Sequence, residues 1–292
     1  MAPERISAAE AVPSLTSSTT GMSASGKYPA LDIPVVVLVN EGTASAAEIL
    51  SGAIQDHDRG LLVGQPSWGK GLVQTVYNLS YGAGLALTTA KYYTPSGRLI
   101  QRDYTSYYDY YTHADAGSPE ITGKQVDESE IFRTDLGRKV YGGGGITPDV
   151  LVKEEELSPF EQFLLARNGY LNFAVDFAAR NKSKIKSPQW EPGPEVLDEL
   201  RAWLVKEKIA TDKEVEEAFA QESVRKYSLL QIRAEVLNIP YGQEARHRVL
   251  SEGDTQIQTA LGLFGKAAEM QAQRRELPPR VDRAEADPKG RM

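Results

Sequence analysis

Residues 33–48 read Ile-Pro-Val-Val-Val-Leu-Val-Asn-Glu-Gly-Thr-Ala-Ser-Ala-Ala-Glu. The first eight form a nearly continuous β-branched run, which predicts a strand buried on both faces of an α/β sheet. After Asn40 the texture changes to small residues, and Thr43 can cap a helix running to about Asp56 with Ile49, Ala53 and Ile54 turned inward. Residues 61–65 then read as another short strand. Strand, helix and strand in this order are the βαβ logic of a layered fold.

Working outward, residues 72–79 and 84–93 are β-rich runs joined by a turn containing Gly82, which predicts an antiparallel hairpin closed by Pro95, Ser96 and Gly97. Residues 102–141 are polar, lack periodicity and carry Tyr104, Tyr107, Tyr108, Tyr110 and Tyr111, so an insertion with weak local structure is expected there. The glycine run at 142–145 restarts order, and Val150, Leu151 and Val152 after Pro148 and Asp149 read as one more strand. Upstream, residues 1–30 are rich in small and hydroxylated side chains and read as a flexible leader. Beyond residue 153 the pattern is helical, with helices expected over 159–179, 195–206, 212–237 and 243–273 and a frayed end after Glu276. The expected division is therefore a leader (1–30), an α/β core (31–153) and a mainly helical C-terminal region (154–292).

Composition narrows the chemistry. The chain has 33 Lys and Arg against 40 Asp and Glu, a net charge of −7, which disfavours a general nucleic-acid binder. From residue 181 onward basic and acidic residues number 19 each, so the helical region reads as a solvated face rather than a polyanion-binding tail. No stretch approaches the ~20 apolar residues of a membrane span, so an integral membrane protein is not expected. No signal peptide is visible in the first residues. With no cysteine and only His57, His113 and His247, there is little material for a thiol nucleophile, a transition-metal site or a Ser-His relay.

The remaining candidate chemistry is a hydroxyl with an amine base. Ser45 follows a buried strand, opens a helix and has only small neighbours, a place where free N–H groups and positive partial charge suit an oxyanion. By itself Ser45 reads more readily as an ordinary helix-start serine. Lys70 sits between Gly69 and Gly71 directly after Trp68. A neutral lysine would serve as general base for Ser45 if burial lowered its pKa from ~10.4 toward ~7 to 8; the plain alternative is a loop lysine reaching a helix C-terminus. His57, set among Asp56, Asp58 and Arg59, reads as structural.

Residues 40–53, then Val63, Gly64, Gln65, Gly69, Lys70, Gly71 and residues 72–75, then residues 87–98 with Ile100 and Gln101, and finally Gly145, Ile146, Pro148 and Asp149 resemble the carboxy-terminal processing, or tail-specific, proteases of the S41 class. That resemblance implies a ClpP/crotonase-like α/β architecture. It also implies that Ser45 is the nucleophile, Lys70 the general base, Gln74 the side chain that orients the lysine, and the Ala46 N–H one of two oxyanion donors. A glutamine suits that position, since its oxygen can accept a lysine N–H without adding charge; otherwise Gln74 would read as an exposed strand residue. The family's PDZ domain and its Arg-x-Asn-Pro-Gly-Gly segment, which supplies the second donor, are not matched, so the chain is expected to be N-terminally truncated with a partial core. An extracytoplasmic location, periplasmic or secreted, follows by the same resemblance.

The expected function is thus a serine endopeptidase cleaving near protein C-termini, with peptide or protein C-terminal segments as partners and no metal or organic cofactor. A second reading is a non-catalytic peptide-binding or assembly protein that forms homo-oligomers through its helical region. A crotonase-like acyl-CoA enzyme shares only the architecture, and the order of Ser45, Lys70 and Gln74 weighs against it.

Overall fold

The computed structural model describes residues 33–103, 130–153 and 156–277, and the backbone of residues 4–7. Two compact units are present: Met1–Lys153 together with Thr259–Met292, and Glu154–Gln258.

In the first unit the βαβ expectation holds. Strand β2 (Val36–Val39) leads into α1 (Ala46–Asp56) and back to β3 (Leu61–Gly64), with β2 and β3 parallel from Val36 against Leu61 to Val39 against Gly64. A short strand β8 (Val150–Leu151) adds in parallel on the far side of β3, so the order is β2-β3-β8. Sheet position corrects the expectation for residues 33–40. β3 is central and buried at every residue, whereas β2 lies at the edge with Leu38 44% exposed. Val39, Leu62, Ile100 and Ile146 form one core, against which Val37 and Ile54 pack. Leu61 instead meets Ala267 and Met270.

A second sheet runs in the order β1 (Glu4–Ser7), β5 (Gly84–Tyr93), β4 (Leu72–Asn78). The expected hairpin is present as β4 (Leu72–Asn78) and β5 (Gly84–Tyr93), joined by a 3₁₀ turn at Ser80–Gly82. Within that turn Tyr81 and Gly82 both have positive φ, 63° and 75°, which a glycine tolerates and a tyrosine adopts at a cost. β1 (Glu4–Ser7) pairs in parallel with β5, Glu4 against Ala90 through Ser7 against Tyr93. Residues 4–7 therefore depart from the leader expected over 1–30; residues 8–32 lie outside the described residues. The stretch expected to be a weakly structured insertion contains a third, antiparallel pair, β6 (Ile131–Arg133) and β7 (Lys139–Tyr141). Its tyrosines at 104–111 fall outside the described residues.

Buried charge fixes the C-terminal end of α1. Asp56 and Arg98 pair at 2.8 Å with both side chains fully buried, and Asp56 also accepts the Ser96 N–H at 3.0 Å. The turn after β5 is thereby tied to the helix that Ser45 precedes. Beside it, Arg138 bridges Asp58, at 2.6 Å, and Asp149. Burial works against the Arg138 charge, yet the two carboxylates outweigh it and raise its pKa. His57 lies 3.1 Å from Asp135, which also takes Arg274 at 2.7 Å from α8 (Phe264–Arg275), in keeping with a structural histidine.

The second unit is helical, so the chain is mixed α/β with a mainly helical C-terminal region. It contains α2 (Pro159–Ala166), α3 (Gly169–Arg180), α4 (Glu195–Lys206), α5 (Asp212–Phe219) and α6 (Glu222–Gly253). The helix expected over 159–179 is broken by Asn168 in the left-handed region at φ 53°. Ser158 and Glu161 form a capping box at the start of α2, and Thr211 and Glu214 another at the start of α5, both at starts expected from sequence, whereas the helix expected over 212–237 is divided between α5 and α6. α6 runs through Pro240 but bends at Gly242, φ 77°. The helix expected over 243–273 is instead divided among the end of α6, α7 (Thr255–Gly262) and α8. Leu164, Phe173, Leu200, Leu204, Ile232 and Leu237 lead the unit's core. Among the described residues no helix is long and apolar enough to cross a membrane.

Candidate active site

Ser45 occupies the turn between β2 and α1 with φ 57° and ψ −118°, a conformation rare for a residue with a Cβ and costing about 1–3 kcal/mol. Such strain at a strand-to-helix turn lifts a side chain out of the sheet top. The residue is half-buried, and Ala46 and Ala47 beside it are exposed. Ser45, rather than the expected Thr43, is the N-cap of α1. The Thr43 hydroxyl instead accepts the Asn40 N–H at 3.1 Å and tightens the turn. Among the described residues the Ala46 N–H donates to no group, leaving a free donor one residue past the serine.

The lysine loop, residues 67–71, is locked by its own backbone. Ser67 N–H donates to Ile146 O at 3.0 Å and Trp68 N–H to Thr43 O at 2.8 Å. Gly69 and Lys70 N–H donate to the two Glu48 oxygens, Oε1 at 2.6 Å and Oε2 at 2.8 Å, and Gly71 N–H donates to Gln101 Oε1 at 2.8 Å. Every amide of the loop has a partner, as buried irregular backbone requires. The glycines on either side of Lys70 serve close packing, and Gly69 a positive φ as well. Gly69 has φ 87°, and a Cβ there would lie 2.9 Å from the Arg102 side chain. A Cβ on Gly71 would lie 2.9 Å from the Gln101 nitrogen.

Glu48 joins the two halves. Its carboxylate is fully buried in the first turn of α1. Oε2 accepts the Ser45 N–H at 2.9 Å as well as that of Lys70, and Oε1 accepts the Ser67 hydroxyl at 2.5 Å as well as Gly69. One oxygen thus receives the backbone N–H of both Ser45 and Lys70, so those nitrogens can be no farther apart than two hydrogen bonds laid end to end. Ser67 extends the network by accepting the Ile146 N–H at 2.7 Å. Glu48 was not among the residues picked from sequence. Its position three residues after Ser45 is the spacing of a capping box, and that was the available signal.

The structure brings the backbones of Ser45 and Lys70 together but not their side chains. Lys70 is exposed, so the dry surroundings expected of a lysine base are not supplied by the described residues. Gln74, third in β4 and next to a register shift between Val73 and Gln74, is also exposed. Among the described residues no hydrogen bond links Lys70 Nζ to Ser45 or to Gln74. A cavity of about 760 Å³ lined by Gln55, Arg98, Arg138, Asp149, Lys266 and Met270, among others, includes none of the three.

The model of peptidase family S41 matches residues 7–107, so the matched segment begins within the stretch expected to be a leader and holds Ser45, Lys70 and Gln74. A carboxyl-terminal-processing protease of Synechocystis is 62% identical over 73 residues, 25% of this chain and 17% of that protein. A chloroplastic C-terminal processing peptidase of Tetradesmus obliquus is 59% identical over 64 residues, 22% of this chain and 14% of that one. Among solved structures, a photosystem II D1 C-terminal processing protease overlaps 43% of this chain and 22% of its own, at 34% identity and a TM-score of 0.24. The chain spans about a sixth of the length of the curated relatives it matches. Through residues 7–107, the segment that carries Ser45 and Lys70, the chain is similar to peptidase family S41.

Proposed function

We propose that Ser45 and Lys70 are the nucleophile and general base of a serine peptidase that cleaves near protein C-termini, with peptide or protein C-terminal segments as its substrates. The observation that carries the reading is the shared Glu48 oxygen, which ties the Ser45 and Lys70 backbones to one point. Neutral Lys70 takes the Ser45 hydroxyl proton as the oxygen attacks the scissile carbonyl carbon. The resulting oxyanion is received by the Ala46 N–H, which is free to accept that role. Protonated Lys70 then gives its proton to the leaving amine, and water resolves the acyl-enzyme by the same steps. Gln74 orients the lysine without adding charge. Because Lys70 is exposed here, a bound peptide is what would dry the amine and favour its neutral form. By kinship with processing proteases we place the protein's work outside the cytoplasm.

The exposure of Lys70 and Gln74 favours a second reading, a non-catalytic peptide-binding protein on the same scaffold. Hydrolysis of peptides with free and amidated C-termini separates the two. The first reading expects turnover that needs a free C-terminus nearby and vanishes in Ser45→Ala and in Lys70→Ala. Peptide binding without Ser45-dependent turnover would support the second.

A further inference from the structure

Gly71 is held by a side chain that the proposed chemistry does not use. Gln101 is 6% exposed and has both ends of its amide engaged. Its Oε1 accepts the Gly71 N–H at 2.8 Å, and its Nε2 donates to the Arg102 carbonyl at 2.8 Å. Rotating the amide by half a turn would set N–H against N–H and oxygen against oxygen, so its orientation is fixed. The Arg102 N–H in turn donates to the Gly69 carbonyl at 3.0 Å. Residues 101 and 102 thus grip both neighbours of Lys70, while Glu48 holds Gly69 and Lys70 from the side of α1. The grip cannot slide inward. A Cβ on Gly71 would already lie 2.9 Å from Ile100 Cγ1, and Ile100 is a core residue at 1% exposure.

We propose that Gln101 is a positioning residue: its amide fixes the peptide plane joining Lys70 to Gly71 and so sets where the Lys70 amine can reach relative to Ser45. This rests on the Ser45/Lys70 reading above. A neutral amide does this work without adding a second carboxylate to that of Glu48 beside a lysine that must surrender its proton.

The test compares the wild-type chain with Gln101→Leu, which keeps the volume but loses both hydrogen bonds, and Gln101→Glu, which keeps the acceptor for Gly71 but adds charge. Two measurements are made: peptide hydrolysis across pH, and hydrogen exchange at the Gly69, Lys70 and Gly71 amides. Gln101→Leu should lower kcat by about 10²-fold with KM within a few-fold, the penalty typical of a small misplacement of a reacting group, and should speed Gly71 exchange at least about tenfold. Gln101→Glu should recover part of kcat and the Gly71 protection, with the acid limb of the pH profile displaced to higher pH because a carboxylate favours protonated lysine. Wild-type kcat in Gln101→Leu would overturn the proposal, as would a loss that Gln101→Glu neither repairs nor shifts in pH. If the wild-type chain shows no Ser45-dependent hydrolysis, the peptidase reading fails. Gln101 is then judged on exchange, where unchanged Gly71 protection in a folded Gln101→Leu chain refutes its grip on the loop and increased exchange upholds it. Should Gln101→Leu not fold, Gln101→Glu with neither a pH shift nor retained Gly71 protection is the refuting result.

Discussion

Glu48→Gln replaces one carboxylate oxygen by a donor and keeps the side chain's shape. Four donors converge on that carboxylate: Ser45 and Lys70 N–H on Oε2, Gly69 N–H and the Ser67 hydroxyl on Oε1. A glutamine has one acceptor end, so it must choose. Turning its NH₂ toward Ser45 and Lys70 would leave two partly buried backbone donors without a partner. Turned toward Gly69 and Ser67 it leaves one, since the Ser67 hydroxyl can rotate and accept instead. That second orientation is the one expected. It leaves the Gly69 N–H unsatisfied, at about 1–3 kcal/mol, and weakens the remaining bonds by removing their charge assistance, for a loss of about 2–4 kcal/mol in all. Urea denaturation followed by circular dichroism measures this, with the change expected in the midpoint at constant slope. In addition, the Gly69 amide should lose exchange protection while those of Ser45 and Lys70 keep theirs. A loss of stability below about 0.5 kcal/mol, within the range of ordinary surface substitutions, would refute the assignment of Glu48 as the joint between the two loops.

Two further predictions concern other parts of the molecule and a third the lysine itself. Asp56→Ala strands the fully buried Arg98 guanidinium and should cost about 3–5 kcal/mol in the same denaturation assay, as for other broken buried pairs; a loss near that of a surface mutation would show the pair to be dispensable. Burial raises the Tyr170 hydroxyl pKa above the ordinary tyrosine range, and Tyr227 beside it is raised for the same reason. Folding then favours the protonated phenols, so this contribution is intact below about pH 10 and is lost as pH climbs from there through the raised folded values. The wild-type urea midpoint should therefore fall more steeply above pH 10 than that of Tyr170→Phe, and equal slopes would contradict this. Lys70→Arg should be as inactive as Lys70→Ala, since guanidinium does not deprotonate near neutrality, while EDTA should leave hydrolysis unchanged; activity in Lys70→Arg, or EDTA loss restored by zinc, would each sink the side-chain mechanism.

The order of elements in the α/β core was legible because its signals are local. The apolar run before Asn40, the small residues around Ser45 and the Gly82 turn each announce one element within a few residues. Burial was less legible, because it depends on where a strand sits in its sheet. The run at 33–40 is the more apolar by eye, yet β3 is the strand covered on both faces and β2 is an edge. Nothing in Glu4–Ser7 advertised a strand, since its partner β5 lies more than eighty residues away. Helix boundaries failed where one residue decides them: Asn168 at positive φ splits one expected helix, and Pro240 proved tolerable where a bend at Gly242 relieves the chain. At the candidate site, residue types pointed to Ser45 and Lys70, but the side chains that hold them did not stand out. Glu48 looks like any first-turn glutamate and Gln101 like a polar loop residue until the fold buries each against backbone donors twenty to thirty positions away.

The most direct measurement is covalent. The folded chain is treated with a fluorophosphonate probe, which reacts with activated serine hydroxyls, and the adduct is mapped by mass spectrometry. A single adduct on Ser45, absent in Ser45→Ala and strongly reduced in Lys70→Ala, is the predicted result. An adduct on another serine, or none on a chain whose circular dichroism and denaturation are those of the folded protein, would contradict the assignment of Ser45 as a nucleophile activated by Lys70.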